Sequence, residues 1–155
     1  MKDLKFLHRK ISKIVQKIPR SGIRDFFDIV NSKKDVVSLG IGEPDFITPW
    51  RIRDKAIRSL ERGRTSYTSN LGLLSLRTEI SKFIKNKTDI NFSPDNEVLI
   101  TVGVSEGLDL AMRALIEPGD EVIYHEPCYV SYNPLIKFAH GIPIGIHTKK
   151  ENNFK

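Results

Sequence analysis

Apolar residues recur at helical spacing through the first eighteen residues of this chain, on a strongly basic background. Side chains three or four positions apart fall on one face of a helix, and Pro19 ends the pattern. The residues of this face are Leu4, Leu7, Ile11, Ile14, Val15 and Ile18. We predict a basic amphipathic helix that docks its apolar face on its own domain or on a partner subunit. Contact with a membrane surface or RNA is the less favoured alternative.

Three further helices are predicted before residue 90. Ser21 and Thr48 suit the N-cap position, Pro49 suits the first helical position, and Gly63 follows the last turn of the second of these helices. The predicted helices span 21–31, 49–62 and 73–87. A short extended segment over 36–41 leads into the loop Gly42-Glu-Pro-Asp45.

Strand and helix patterns alternate from Glu97 to the end of the chain. The predicted order is strand 98–102, helix 105–116, strand 121–125, helix 130–139 and strand 142–147. The turns Glu117-Pro-Gly-Asp120 and His140-Gly141 separate these elements. Such alternation predicts an α/β fold in which helices flank a mostly parallel sheet with right-handed crossovers.

Composition narrows the class of protein. The chain has 155 residues, of which 39% are hydrophobic and 28% are charged, as is typical of a globular domain. No apolar run approaches the roughly 20 residues of a membrane span. The single cysteine, Cys128, cannot form an internal disulfide, which favours a cytoplasmic location. We expect no nucleic-acid partner, no membrane partner and no metal site, despite the net charge of +6.

The turn after the first predicted strand is a candidate phosphate site. Gly103 permits a tight turn, and the free N–H groups of Val104, Ser105 and Glu106 would point out of the following helix. Tyr129 comes just after the next strand and could offer an aromatic face beside that turn. Plain helix capping by Ser105 and ordinary packing of Tyr129 remain open alternatives.

Six motifs in order resemble the class I aminotransferases that depend on pyridoxal phosphate (PLP), in their aspartate and aromatic branch. The resemblance covers nearly all of the chain from Ser21 onward. The motifs are Ser21-Gly-Ile-Arg24; Gly42-Glu-Pro-Asp-Phe46 with Thr48-Pro49; Tyr67-Thr68 with Gly72 and Leu76-Arg77; Thr101-Val-Gly103; Glu117-Pro-Gly-Asp-Glu-Val122; and Pro127-Cys-Tyr129 with Tyr132.

This resemblance implies a fold, a cofactor and site residues. Residues 1–47 would form an N-terminal helical arm and a small-domain segment, and residues 48–155 an incomplete PLP-binding large domain. The resemblance implies amino acid and 2-oxo acid substrates and a homodimer. The cofactor phosphate would meet the turn at Gly103 with Val104 and Ser105, and the pyridine ring would stack on Tyr129. Tyr67 would reach the phosphate of the neighbouring subunit. Ile41 and Gly42 would line the pocket near the substrate carboxylate.

The resemblance places the remaining machinery of transamination, including the Schiff-base lysine, downstream of the matched region. Within these 155 residues we therefore expect no catalytic residue and no transamination by the chain alone. The leading hypothesis is the front fragment of a complete aminotransferase. The alternatives are a non-catalytic module that binds phosphate or PLP, or pairs with a full-length subunit, and a PLP-sensing regulator fused to a DNA-binding domain. No helix-turn-helix pattern in the sequence supports the hypothesis of a DNA-binding regulator.

Overall fold

The computed structural model describes residues 10–23, 29, 37, 42 and 44–155. They form two compact units: one is Gly42–Val104, and the other combines the described residues before Gly42 with residues 105–155. None of the described helices is long and apolar enough to cross a membrane. In chain order the elements are α1 (Lys13–Lys17), α2 (Trp50–Glu61), α3 (Leu74–Thr88), α4 (Gly103–Leu115), β1 (Glu121–Glu126), α5 (Tyr132–Phe138), β2 (Ile142–His147) and a short 3-10 helix (Lys150–Asn152).

Helix α1 lies inside the predicted basic helix. Its first turn is capped by the Ser12 hydroxyl, which accepts a hydrogen bond from the Val15 N–H at 3.3 Å. The rest of that prediction, residues 1–9, lies outside the described residues. The predicted helix over 21–31 and the extended segment over 36–41 also lie mostly outside them, although Gly22, Ile23 and Ile29 are helical.

Helix α2 begins one residue later than predicted. Pro49 is its N-cap rather than its first residue, because the ψ of Pro49 is 138°, an extended value. No side chain caps the helix, so the prediction of Thr48 as N-cap was wrong. Gly63, with a φ of 66°, follows the last turn in the left-handed region that glycine adopts at little cost, as predicted.

Helix α3 is held by a buried arginine. The Arg77 guanidinium donates hydrogen bonds to the carbonyl of Gly72 at 3.2 Å, to that of Asp95 at 3.1 Å and to that of Pro94. Arg77 is only 5% exposed, so its guanidinium does not face solvent. It instead satisfies backbone carbonyls of the segments that flank α3, which is a structural role.

Residues 98–102 do not form the predicted strand. The Ile100 N–H donates to the Leu71 carbonyl at 3.0 Å, but no ladder of paired residues forms in the part of the chain that is described. A strand requires a neighbour in register as well as suitable side chains. The sheet of the described residues therefore contains β1 and β2 only.

Strands β1 and β2 pair in parallel and are joined by α5, which confirms the α/β prediction. In their register Glu121 lies opposite Ile142, and Glu126 lies opposite His147. Helix α5 contacts β2 and α1, and the buried hydrophobic residues among those described are Ile136 of α5 and Ala139, its C-cap. Ile123 of β1 remains 72% exposed, although the faces of parallel sheets are normally covered.

Candidate functional site

Helix α4 begins two residues earlier than predicted. Gly103 has a φ of 75°, a left-handed value that favours glycine, and it is the first residue of the helix. The Gly103 N–H donates to the Thr101 carbonyl at 2.9 Å, and the Thr101 hydroxyl donates to the Gly103 carbonyl at 2.9 Å. Ser105 is thus the third residue of α4 and not its N-cap.

Two donors remain available at this helix start. Within the described residues, the backbone N–H groups of Val104 and Ser105 have no acceptor, and both residues are exposed. These N–H groups lie at the positive end of the α4 dipole, where an anion is favoured. Glu106 places a carboxylate in the same first turn, so a bound anion would share the dipole with a nearby negative charge.

Tyr129 lies in the segment between β1 and α5, and its ring is 46% exposed. The ring packs edge-on against that of Tyr132, with centroids 5.8 Å apart and an interplanar angle of 81°. Hydrogen bonds from the side chain of Ser131 and, to a lesser extent, that of Ser105 lower the pKa of the Tyr129 phenol below its ordinary value of 10.0. Tyr129 is therefore accessible beyond the end of β1, in the compact unit that also contains Ser105.

The other predicted site residues belong to the unit Gly42–Val104 or are not described. Tyr67 is fully exposed, in an extended stretch after α2. Gly42 is exposed, and a Cβ added to it would meet no atom within 4 Å. Ile41 lies outside the described residues, so the structure gives no position for it.

Sequence reasoning missed a polar cluster at the carboxyl ends of β1 and β2. The Tyr124 hydroxyl donates to Glu126 Oε1 at 3.0 Å and accepts from Asn133 Nδ2 at 3.0 Å. His147 Nδ1 lies 3.2 Å from Glu126 Oε2. The signal was present in part, because functional groups of α/β proteins collect at the carboxyl ends of parallel strands. The run Tyr124-His-Glu126 at the end of a predicted strand could therefore have been proposed as part of a candidate site.

Comparison with known proteins identifies the family. The family model described as "Aminotransferase class I and II" matches residues 34–155, which is most of the chain. The chain belongs to the class I and II aminotransferases. The resemblance found in the sequence motifs is therefore confirmed, including its placement in the aspartate and aromatic branch.

Individual relatives agree with this family. A provisionally named aminotransferase of Bacillus subtilis is 52% identical over 145 residues, which are 94% of this chain and 38% of that protein. An aspartate aminotransferase of Pyrococcus horikoshii is 44% identical over 93% of this chain and 37% of its own length. The crystal structure of the Thermotoga maritima aspartate aminotransferase superposes with a TM-score of 0.85 at 36% identity, covering 94% of this chain and 40% of that one. The chain thus spans about two fifths of the length of these aminotransferases.

The residues present fit the cofactor that the family implies. A phosphate dianion needs N–H and hydroxyl donors at a positive helix end, and α4 offers the N–H groups of Val104 and Ser105 together with the Ser105 side chain. A flat pyridine ring needs an accessible aromatic face, and Tyr129 is half exposed. Helix α4 thus suits the phosphate of the cofactor, and Tyr129 suits its pyridine ring.

Proposed function

We propose that this aminotransferase chain provides the phosphate-binding and ring-binding elements of a PLP-dependent transaminase. The enzyme would transfer an amino group between an amino acid and a 2-oxo acid. The observation that carries this proposal is the helix start at Gly103, where the N–H groups of Val104 and Ser105 have no acceptor among the described residues. The relatives named aspartate aminotransferase support amino acids as the substrate class.

Each residue has a specific task in this proposal. The N–H groups of Val104 and Ser105 and the Ser105 hydroxyl would bind the phosphate and hold it as a dianion. The left-handed Gly103 would aim those donors. The Tyr129 ring would pack on one face of the pyridine, which restricts rotation of the ring and excludes water from that face. PLP, when bound, supplies the aldehyde carbon that receives the amino group and a ring that withdraws electrons.

The proposal also includes the oligomeric state of the enzyme, the residues near the substrate carboxylate and the cellular location. The enzyme would be a homodimer in which Tyr67 reaches the phosphate bound by the neighbouring subunit, and the full exposure of Tyr67 supports this. Gly42, with free space around its α-carbon, and Ile41 would line the pocket near the substrate carboxylate. We further propose that the large PLP-binding domain begins at residue 48, that the enzyme works in amino acid metabolism and that it is cytoplasmic.

The test uses the protein at its native length. Purified protein is titrated with PLP and with pyridoxal, which lacks the phosphate, and transamination between amino acids and 2-oxo acids is followed by chromatography. Replacing Ser105 by Ala should weaken PLP binding about tenfold, because a hydrogen bond to a charged group contributes roughly 1.5–3 kcal/mol. Pyridoxal binding should change much less.

Ser75 provides the matched control, since it is an exposed serine in the first turn of α3. The Ser75→Ala variant should bind both compounds as the unaltered protein does. Equal affinities of the unaltered protein for PLP and pyridoxal would contradict the phosphate site. Tight PLP binding without transamination of any amino acid would favour the non-catalytic binding module.

A further inference from the structure

The segment that carries Tyr129 is bounded at both ends by residues of the polar cluster. Glu126 is the last residue of β1, Asn133 is the second residue of α5, and Tyr129 lies between them. The Tyr124 hydroxyl joins these two ends, because it donates to Glu126 Oε1 and accepts from Asn133 Nδ2, both at 3.0 Å. One phenol therefore closes the loop of residues 127–132.

The start of the same segment is also fixed to β2. The Glu126 carbonyl accepts hydrogen bonds from the Thr148 N–H at 2.8 Å and from the Thr148 hydroxyl at 2.7 Å. These bonds continue the β1–β2 ladder by one residue beyond its last pair. The carboxylate of Glu126 is then left to hold the side chain of Tyr124, while its other oxygen faces His147.

A glycine in β2 makes room for this arrangement. Gly145 lies opposite Tyr124 in the parallel register. A Cβ at this position would approach Glu126 Oε1 to 2.9 Å and the Tyr124 hydroxyl oxygen to 3.2 Å. The nearest of these atoms is the end of a movable side chain, so an added methyl group would push the carboxylate away from Tyr124 without breaking the strands.

We propose that Tyr124 is a positioning residue, which clamps residues 127–132 through Glu126 and Asn133 and so fixes the ring of Tyr129. The clamp itself does not depend on the proposed function. Its consequence for cofactor binding does rest on the proposed function, since only then does the orientation of Tyr129 matter for a bound pyridine ring. Neither Tyr124 nor Asn133 needs to touch the cofactor.

Hydrogen exchange of the protein at its native length tests the clamp without any ligand. In Tyr124→Phe and Gly145→Ala, the amide of Tyr132, which donates to the Tyr129 carbonyl at 3.2 Å, should exchange roughly tenfold faster, because opening of the segment no longer has to break the hydrogen bond between Tyr124 and the Glu126 carboxylate. The β1 amides should exchange as before. The Glu126→Gln variant keeps an oxygen that can accept from Tyr124, so its exchange should stay within about twofold of the unaltered protein.

Tyr132→Phe is the matched control for loss of a phenol. Tyr132 is the neighbouring tyrosine of this segment, and its hydroxyl has no hydrogen-bond partner in the part of the chain described here, while its ring contact with Tyr129 would persist. The proposal is overturned if Tyr124→Phe and Gly145→Ala exchange like Tyr132→Phe. It is also overturned if exchange rises equally in β1, which would indicate general destabilisation. If Tyr124→Phe does not fold, Gly145→Ala alone decides.

Visible circular dichroism of bound PLP tests the consequence for the site. The signal per bound cofactor reports how the pyridine ring is oriented, and a purely structural role of Tyr124 would lower the amount bound without changing that signal. We expect at least a twofold loss of the signal per cofactor in Tyr124→Phe and none in Tyr132→Phe. An unchanged signal alongside faster exchange overturns the positioning role. If the unaltered protein binds no PLP, the proposed function fails and the exchange experiment decides the clamp.

Discussion

Replacing Gly103 by Ala isolates the contribution of one backbone conformation to the site. Gly103 has a φ of 75°, and a Cβ added there would meet no atom within 4 Å. The substitution therefore introduces no steric clash with a neighbour. It introduces only the cost that an L-residue bears in the left-handed region, roughly 1–2 kcal/mol.

That cost has two expected consequences. If the left-handed conformation persists, the free energy of unfolding should fall by about 1–2 kcal/mol. If the chain instead relaxes, the start of α4 shifts and the N–H groups of Val104 and Ser105 no longer point at a common place. Misaligning even one donor to a phosphate should weaken PLP binding about tenfold or more, because hydrogen bonds to charged groups contribute roughly 1.5–3 kcal/mol.

Gly63 is the matched control, because it too has a positive φ, 66°, and open space around its α-carbon, and it ends a helix rather than beginning one. Urea unfolding of Gly103→Ala and Gly63→Ala should show similar losses of stability. Titration with PLP and pyridoxal should show a loss of PLP affinity in Gly103→Ala only. PLP binding by Gly103→Ala that equals that of Gly63→Ala would refute the role of this turn.

Four further predictions concern stability, protonation and association. Ile136→Ala should lower the urea-unfolding free energy by about 2–5 kcal/mol, because Ile136 is 1% exposed, whereas Ile123→Ala should cost far less at 72% exposure. Arg77→Ala should cost about 2–5 kcal/mol by leaving buried carbonyls without a donor, whereas Arg58→Ala, which loses an exposed pair with Asp54, should cost less than about 1 kcal/mol. Ser131→Ala should raise the pKa of the Tyr129 phenol toward 10.0 in a spectroscopic titration corrected with Tyr129→Phe. The 155-residue chain should self-associate through its exposed sheet face and edge, and a sharp monomer boundary in sedimentation with a cooperative melt would contradict this.

The protonation of Tyr129 also predicts the sign of a pH effect. Its pKa is lower in the folded protein than the ordinary 10.0, so the unfolded chain binds more protons between those two pH values. The contribution of the Tyr129 phenol to the free energy of unfolding should therefore increase as pH rises between those two values. It should stay constant above pH 10. Ser131→Ala should reduce the increase. A stability profile that is the same in both proteins over this window would contradict the hydrogen bond from Ser131.

Local patterns predicted most helices and strands because their causes are local. Helix α3 and strands β1 and β2 fall within a residue of their predicted bounds, since apolar spacing and the turns at Asp120 and Gly141 define them. The strand at 98–102 was wrong, because its pairing depends on a distant neighbour that no local pattern reports. Thr48 was wrong as a cap because the ψ of Pro49 moved the helix start.

The candidate site likewise contains features that local sequence patterns predict and features that they do not. The free N–H groups at Val104 and Ser105 follow from a glycine at the start of a helix, a local pattern that the sequence shows directly. The packing of Tyr129 edge-on against Tyr132 depends on the conformation of the segment between β1 and α5, which no local pattern reports. The clamp could not be predicted, because it depends on Gly145 lying opposite Tyr124, and that register is set by pairing between residues 21 positions apart in the chain.

The central claim is that the start of α4 binds the phosphate of PLP, and phosphorus NMR of the native-length protein with bound PLP tests it most directly. A free phosphate monoester takes up a proton near pH 6. Donors from Val104 and Ser105 would hold the phosphate as a dianion. We expect a phosphorus resonance that stays at the dianion position through that pH and that titrates again in Ser105→Ala or Gly103→Ala. A bound phosphate that titrates near pH 6 in the unaltered protein, as it does in free solution, would contradict the account.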